Sequence, residues 1–138
     1  MIFSETAYLV MSGDKTQTRR PLKPFDELRT TDEGISYIYN TQMRRVRFCV
    51  GKIYAVQPGR SKHGIGHICI KRIRVEKLLS INTRDCFAEG IMADVNGPPH
   101  MAFFLGFMTT WNRLYEKTEY ATEHDPDVIV LEFETITQ

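Results

Sequence analysis

Eight consecutive residues, Gly13-Asp14-Lys15-Thr16-Gln17-Thr18-Arg19-Arg20, form the densest run of chemically capable side chains in the sequence. The last six of them hold three cations and two hydroxyls, a set suited to gripping an anion or a polar base. Lys15 and Thr18 stand three apart, close enough for the amine to reach the hydroxyl in a turn. A lysine partly desolvated beside other cations loses basicity and can take the proton of an attacking hydroxyl. The plain alternative is a solvated basic turn.

Other patterns carry less. His63 and His67 are spaced i, i+4, but Gly64 and Gly66 argue against the helix that would bring them together, so no metal site is expected there. The Gly59–Gly66 loop lacks the Walker pattern and leaves Arg60 and Lys62 as phosphate contacts at most. Cys49, Cys69 and Cys86 are odd in number and widely spaced, which fits reduced thiols rather than a disulfide framework. Phe104, Phe107, Trp111 and Tyr115 follow a helical stripe and are expected in the core. Tyr54 falls on a strand that could line a pocket and stack a base.

The formal net charge of +1 hides a strong asymmetry. Residues 1–43 carry −1, residues 44–77 carry +9 and residues 78–138 carry −7. A stretch this basic can present a phosphate-attracting surface, with Arg44, Arg45, Arg47, Lys71, Arg72 and Arg74 as its candidates. Equally, these cations can pair with the acidic C-terminal third. Both outcomes stay open on the sequence alone.

The elements that must position these groups are short. A helix over residues 4–12, capped by Ser4 and stopped by Gly13, precedes the reactive run. Pro21 biases the residue before it toward extended backbone. Residues 22–43 read as a loop or weak hairpin, with Ile35, Tyr37 and Tyr39 alternating. Strands follow at 46–50, at 53–56 and at 67–78, where the step from Ile70 to Ile73 breaks the period of two and predicts a β-bulge near Lys71-Arg72. Thr83 is expected to cap a helix from Arg84 to Glu89 that ends at Gly90. The loop Asn96-Gly97-Pro98-Pro99, the aromatic helix and a strand over 128–133 complete the chain. The 138 residues, 42% of them hydrophobic, suit a single α+β domain over 1–138 built on a curved sheet. No apolar run approaches the roughly 20 residues of a membrane helix. The start Met1-Ile2-Phe3-Ser4-Glu5 lacks signal-peptide features, so a cytoplasmic protein with no membrane partner is expected.

Gly13, Lys15 and Arg20 form a Gly-x-Lys-x-x-x-x-Arg pattern that resembles the signature of the ASCH domain, a family of the PUA-like β-barrel superfamily associated with RNA. Further segments resemble that family in the same order. They are Gly51-Lys52-Ile53-Tyr54-Ala55-Val56, then Val75-Glu76-Lys77-Leu78 and Ala88-Glu89-Gly90. Trp111-Asn112-Arg113-Leu114-Tyr115 and Val128-Ile129-Val130-Leu131-Glu132-Phe133 follow. The Lys-Thr-Gln-Thr-Arg-Arg wording and the Trp-containing helix are most similar to ASCH proteins of bacteriophages and prophages. The resemblance implies a small PUA-like (ASCH) β-barrel of five to six strands with flanking helices.

One branch of the family is similar to N4-acetylcytidine amidohydrolases. By that resemblance Thr18 would be the nucleophile, Lys15 its base, and Glu89 the acid for the departing amine or an orienter of the lysine. Gly13, Arg20, Tyr54, Arg72 and Arg74 would contact the ligand, RNA or a modified pyrimidine nucleoside. No cofactor is implied. The second implication is a non-catalytic RNA- or nucleotide-binding module using the same residues. Ribonuclease activity ranks last, because the sequence holds no persuasive His-based or metal-based nuclease site. This chain departs from the compact hydrolases by the 22–43 and 91–116 segments, additions that can block a pocket. The sequence carries no signal for an oligomeric state.

Overall fold

A computed structural model of the chain describes residues 1–136. Helix α1 (Ala7–Ser12) leads into β1 (Gln17–Pro21), β2 (Asp26–Thr30), β3 (Ser36–Asn40), β4 (Arg45–Cys49), β5 (Ile53–Val56) and β6 (Gly66–Lys77). Helices α2 (Thr83–Ala88) and α3 (Ala102–Tyr115) follow, and β7 (Asp127–Ile136) closes the order. Among the described residues, no helix is long and apolar enough to cross a membrane.

The strands form two antiparallel sheets, one in the order β1-β7-β6-β5 and one in the order β2-β3-β4. The α+β class is as expected, but the expected β-barrel of five to six strands is instead seven strands in two sheets, with no closed barrel among the described residues. The segment read as a loop or weak hairpin supplies two full strands, β2 paired with β3 and β3 in turn with β4, which make a separate meander. Among the described residues the edges of the larger sheet, β1 and β5, share no ladder, and an isolated parallel bridge joins Ile2 to Gln57 just past β5.

The expected bulge is present. The β6–β7 register slips between Ile70 and Arg72, so Ile70 faces Phe133 and Ile73 faces Leu131. A one-residue slip flips every later side chain to the other face of a strand. Here it returns Ile73 to the face already taken by Ile68 and Ile70, and all three are buried.

Strand β7 is buried on both faces, which explains its unbroken apolar run. Ile129, Leu131 and Phe133 face the side covered by α1 and the smaller sheet, with Ile38, Ile70 and Ile73 packed around the first two. Val128 and Val130 face the other side, against Leu78, Ile81, Cys86, Phe107 and Trp111. The aromatic stripe of α3 is core, as its spacing predicts. Trp111 Nε1 donates to the Tyr120 carbonyl at 2.7 Å, which satisfies its one polar atom.

Helix ends differ from expectation only locally. Gly13 (φ +85°) and Gly90 (φ +76°) terminate α1 and α2 in the left-handed region, where an L side chain is strained. Thr6 rather than Ser4 precedes α1, and its side chain makes no capping bond. Asn82 rather than Thr83 caps α2, accepting the Asp85 N–H at 2.8 Å.

Candidate functional site

The Gly13–Arg20 run is a glycine-ended helix followed by a strand, and the strand's alternation sorts its side chains. Thr16 is fixed first: its N–H donates to the Ala88 carbonyl at 2.8 Å and its carbonyl accepts from the Phe133 N–H at 2.9 Å. The segment is thereby pinned between the end of α2 and β7. On either side of this anchor, Lys15, Gln17 and Arg19 turn toward α2.

These three enter one charge network. Lys15 Nζ donates to the Glu89 carbonyl at 2.6 Å and to its carboxylate at 3.2 Å, with both side chains buried. Arg19, whose side chain has 0% exposure, pairs with Glu89 at 3.1 Å, with Asp85 at 3.3 Å and with Glu76. It also donates to the Gln17 amide oxygen, while the Gln17 amide nitrogen donates to Asp85 at 3.3 Å. Arg74 extends the network to Glu132 at 3.2 Å and to Asp85 and Glu76 at 3.4 Å each. Burial works to raise the Asp85 carboxyl, but the Gln17 hydrogen bond and the guanidiniums of Arg19 and Arg74 outweigh it and hold it below its ordinary value. Burial likewise works against the charge of Arg74, and Glu76, Asp85 and Glu132 restore it and raise it further. One donor of the network is left over: Arg19 Nε is buried without a partner, a cost that the three carboxylates around its guanidinium offset.

Thr18 does not join it. Its cross-strand partner is Leu131, whose side chain packs on the opposite side of the sheet from α2. Thr18 is buried there and its hydroxyl bonds neither Lys15 nor Glu89. The structure thus brings Lys15 and Glu89 together and sets Thr18 on the other face of β1. The expected turn that would join Lys15 to Thr18 is instead extended backbone, in which residues of opposite parity diverge.

Arg20 shares Thr18's face. Its Nη2 donates to the Ile2 carbonyl at 2.7 Å and its guanidinium lies 5.3 Å from the centre of the Phe3 ring. No carboxylate pairs with it among the described residues, its Nε is buried without a partner, and burial pulls its pKa down. Tyr54 is half-buried; its hydroxyl accepts the Cys49 N–H at 3.1 Å and burial raises its pKa. Gly13 serves as the stop of α1.

The basic stretch divides in two. On β6, Lys71 pairs with Glu134 (3.7 Å), Arg72 with Glu132 (3.9 Å) and Lys77 with Asp127 (3.2 Å). Arg72 and Arg74, expected to meet a ligand, therefore face acids of the C-terminal third. Lys52, Arg60 and Lys62 have no such partner among the described residues, and all three are exposed. Arg60 and Lys62 lie in the β5–β6 loop and Lys52 at the opposite end of β5; at the loop end Gly66 packs so closely on Met11 that a Cβ would overlap its side chain. The hairpin thus lies beside the end of α1 that enters Gly13.

Arg19 is the residue that sequence reasoning passed over. Its parity with Lys15 and Gln17 was the available signal. Two surface hollows occur elsewhere, one lined by Leu22, Pro24, Tyr120 and Pro126, the other by Asn112, Glu116 and Thr122. Among the described residues, no group of three or more His, Cys, Asp or Glu side chains is arranged to hold a metal ion.

No protein-family model matches the sequence, and no curated protein matches it. Solved structures are similar in fold. A protein of Enterococcus faecalis V583 described by the family model DUF984 has 16% identity and a TM-score of 0.59, covering 94% of this chain and 66% of that one. The ASCH domain from Lactobacillus crispatus JV V101 has 15% identity and a TM-score of 0.59, covering 94% of this chain and 69% of that one. The chain spans about two thirds of each of these proteins' lengths. It has an ASCH-type fold.

Proposed function

We propose that this chain, on its ASCH-type fold, is a non-catalytic module that binds RNA, gripping phosphates with the exposed Lys52, Arg60 and Lys62. The observation that carries this is the contrast between paired and unpaired cations. Each β6 cation has a carboxylate within 4 Å, whereas the exposed hairpin cations have none among the described residues. Unneutralised cations release counterions when they meet phosphates, so binding weakens as salt rises.

The test is the salt dependence of binding to a single-stranded RNA. Arg60→Glu with Lys62→Glu is expected to weaken binding and to reduce the log–log salt slope by about 1.4, the share of two phosphate contacts on a single strand. Unchanged affinity and slope in that double variant would remove the hairpin from the interface. Absent or salt-insensitive binding by the wild type would end the proposal.

The amidohydrolase alternative has one observation in its favour, the Lys15–Glu89 contact at 3.2 Å. Against it stands Thr18, the nucleophile it requires, on the opposite face of β1. Incubation with N4-acetylcytidine decides between them. The binding module leaves the substrate intact. Release of acetate and cytidine that is lost in a folded Thr18→Ala variant would replace the binding proposal with the hydrolase.

A further inference from the structure

The smaller sheet has an outer face that joins no core cluster among the described residues, and Tyr37 and Tyr39 on it are half-buried. Its inner face sends Ile38 and Phe48 into the core beside Ile70 and Leu131. Its outer face carries Tyr37 and Tyr39 from the middle strand β3, and neither belongs to a core cluster. Across from them, Tyr37 pairs with Arg29 and Cys49, and Tyr39 with Glu27 and Val46. The Arg29 guanidinium lies 4.4 Å from the centre of the Tyr39 ring and donates to Glu27 at 2.8 Å.

We infer that this outer face is a stacking platform for single-stranded RNA, with Tyr37 and the Arg29–Tyr39 pair each receiving one base. The inference rests on the RNA-binding proposal and adds to it a second surface with different chemistry. Every base has a π-face, so aromatic rings and guanidinium planes on an open sheet bind single strands with little sequence preference. Residues two apart in a strand lie about 7 Å apart. The two rings therefore offer two separate stacking positions along the strand.

The charge around the face agrees with this occupant. Arg44 and Arg45 stand exposed at the β3–β4 turn, the same end of the sheet as Tyr39. The Arg29 guanidinium lies at that end over Tyr39, paired with Glu27. The neighbouring Asp26 is buried against Arg47. Asp32 and Glu33 belong to the β2–β3 turn at the opposite end. The strand's phosphates are therefore expected to run past the β3–β4 turn, with their bases turned onto the tyrosines.

The experiment uses the full chain, a fluorescent single-stranded RNA, its deoxy counterpart and an RNA duplex. Tyr37→Leu with Tyr39→Leu keeps apolar strand residues but removes both π-faces. It is expected to weaken single-strand binding roughly 10- to 100-fold without changing the salt slope. Tyr39→Phe keeps the ring and is expected to bind as the wild type does. With a photoreactive 4-thiouridine RNA, crosslinks are expected within residues 36–46. Comparable binding of the deoxy strand would identify the ligand as single strands in general, which the stacking chemistry allows.

Wild-type affinity in the leucine double variant, or crosslinks confined to residues 57–66, would overturn this inference while leaving RNA binding intact. Preference for the duplex would overturn it as well. Absence of binding to any of the three nucleic acids would overturn both proposals together.

Discussion

Replacing Arg19 by methionine tests whether the charge network behind β1 is a structural keystone. Methionine keeps much of the length and removes the cation that Glu76, Asp85 and Glu89 share. Removing one partner of a buried ion pair costs about 3–5 kcal/mol, because the orphaned charge stays out of water. Two features reduce that figure here. Arg74 remains beside Glu76 and Asp85, and Lys15 remains beside Glu89. Glu76 is also 23% exposed and keeps access to water. The expected loss at pH 7 is therefore about 2–4 kcal/mol.

Urea unfolding reads it directly. With a slope of about 2 kcal/mol per molar, the midpoint falls by about 1–2 M. The sign of the pH dependence follows from Asp85, whose native carboxyl is held below its ordinary value by Gln17, Arg19 and Arg74. A depressed carboxyl contributes its full stabilisation above its unfolded pKa and loses it as pH falls through the native one. The variant has less of that stabilisation to lose, so its gap from the wild type narrows from about pH 4 downward. A loss below about 0.5 kcal/mol at pH 7, within the ordinary scatter of surface substitutions, would refute the network's role. So would a gap that stays constant down to pH 3.

The remaining expectations concern packing and thiol chemistry. Gly106 of α3 lies against the 91–95 segment, and an added Cβ would overlap the Met92 carbonyl oxygen, a backbone atom with little room to yield. Gly106→Ala is expected to cost about 1–3 kcal/mol, read as a lowered melting temperature; an unchanged one would show that the segment gives way freely. Burial pushes the Cys86 thiol up to about 11, with Glu89 and Asp85 adding to the rise against the opposing effect of Arg19. Alkylation at pH 8 followed by mass spectrometry is expected to modify the half-buried Cys49 and Cys69 first and Cys86 only in denaturant. Equal rates in the native protein would contradict the burial.

Local structure was written in local pattern. The slip from Ile70 to Ile73 announced the bulge, because side-chain direction in a strand repeats every two residues and any extra residue breaks the count. Gly13 and Gly90 announced two helix ends, because a left-handed stop favours a residue without Cβ. The apolar run Val128–Phe133 announced the closing strand, but not that both of its faces would be buried. The motifs shared with ASCH domains pointed to the fold that the solved structures share. The Tyr37/Tyr39 alternation was visible too, but not that these two rings would stay outside the core clusters.

Long-range partnership was not written there. Sequence could count the cations of residues 44–77 but not assign their partners. Lys71 and Glu134, or Lys77 and Asp127, meet only because β6 and β7 choose one antiparallel register across an intervening pair of helices. The same holds at Lys15. Spacing of three suggested a meeting with Thr18, which a turn would allow and a strand forbids. Pairing with β7 extended the backbone, sent Thr18 toward Leu131 and left Lys15 to Glu89. Residue types and periods set which elements form, since those depend on neighbours a few positions away. Which charges are spent on one another, and which remain for a ligand, depends on contacts between distant segments, and only the tertiary structure decides those.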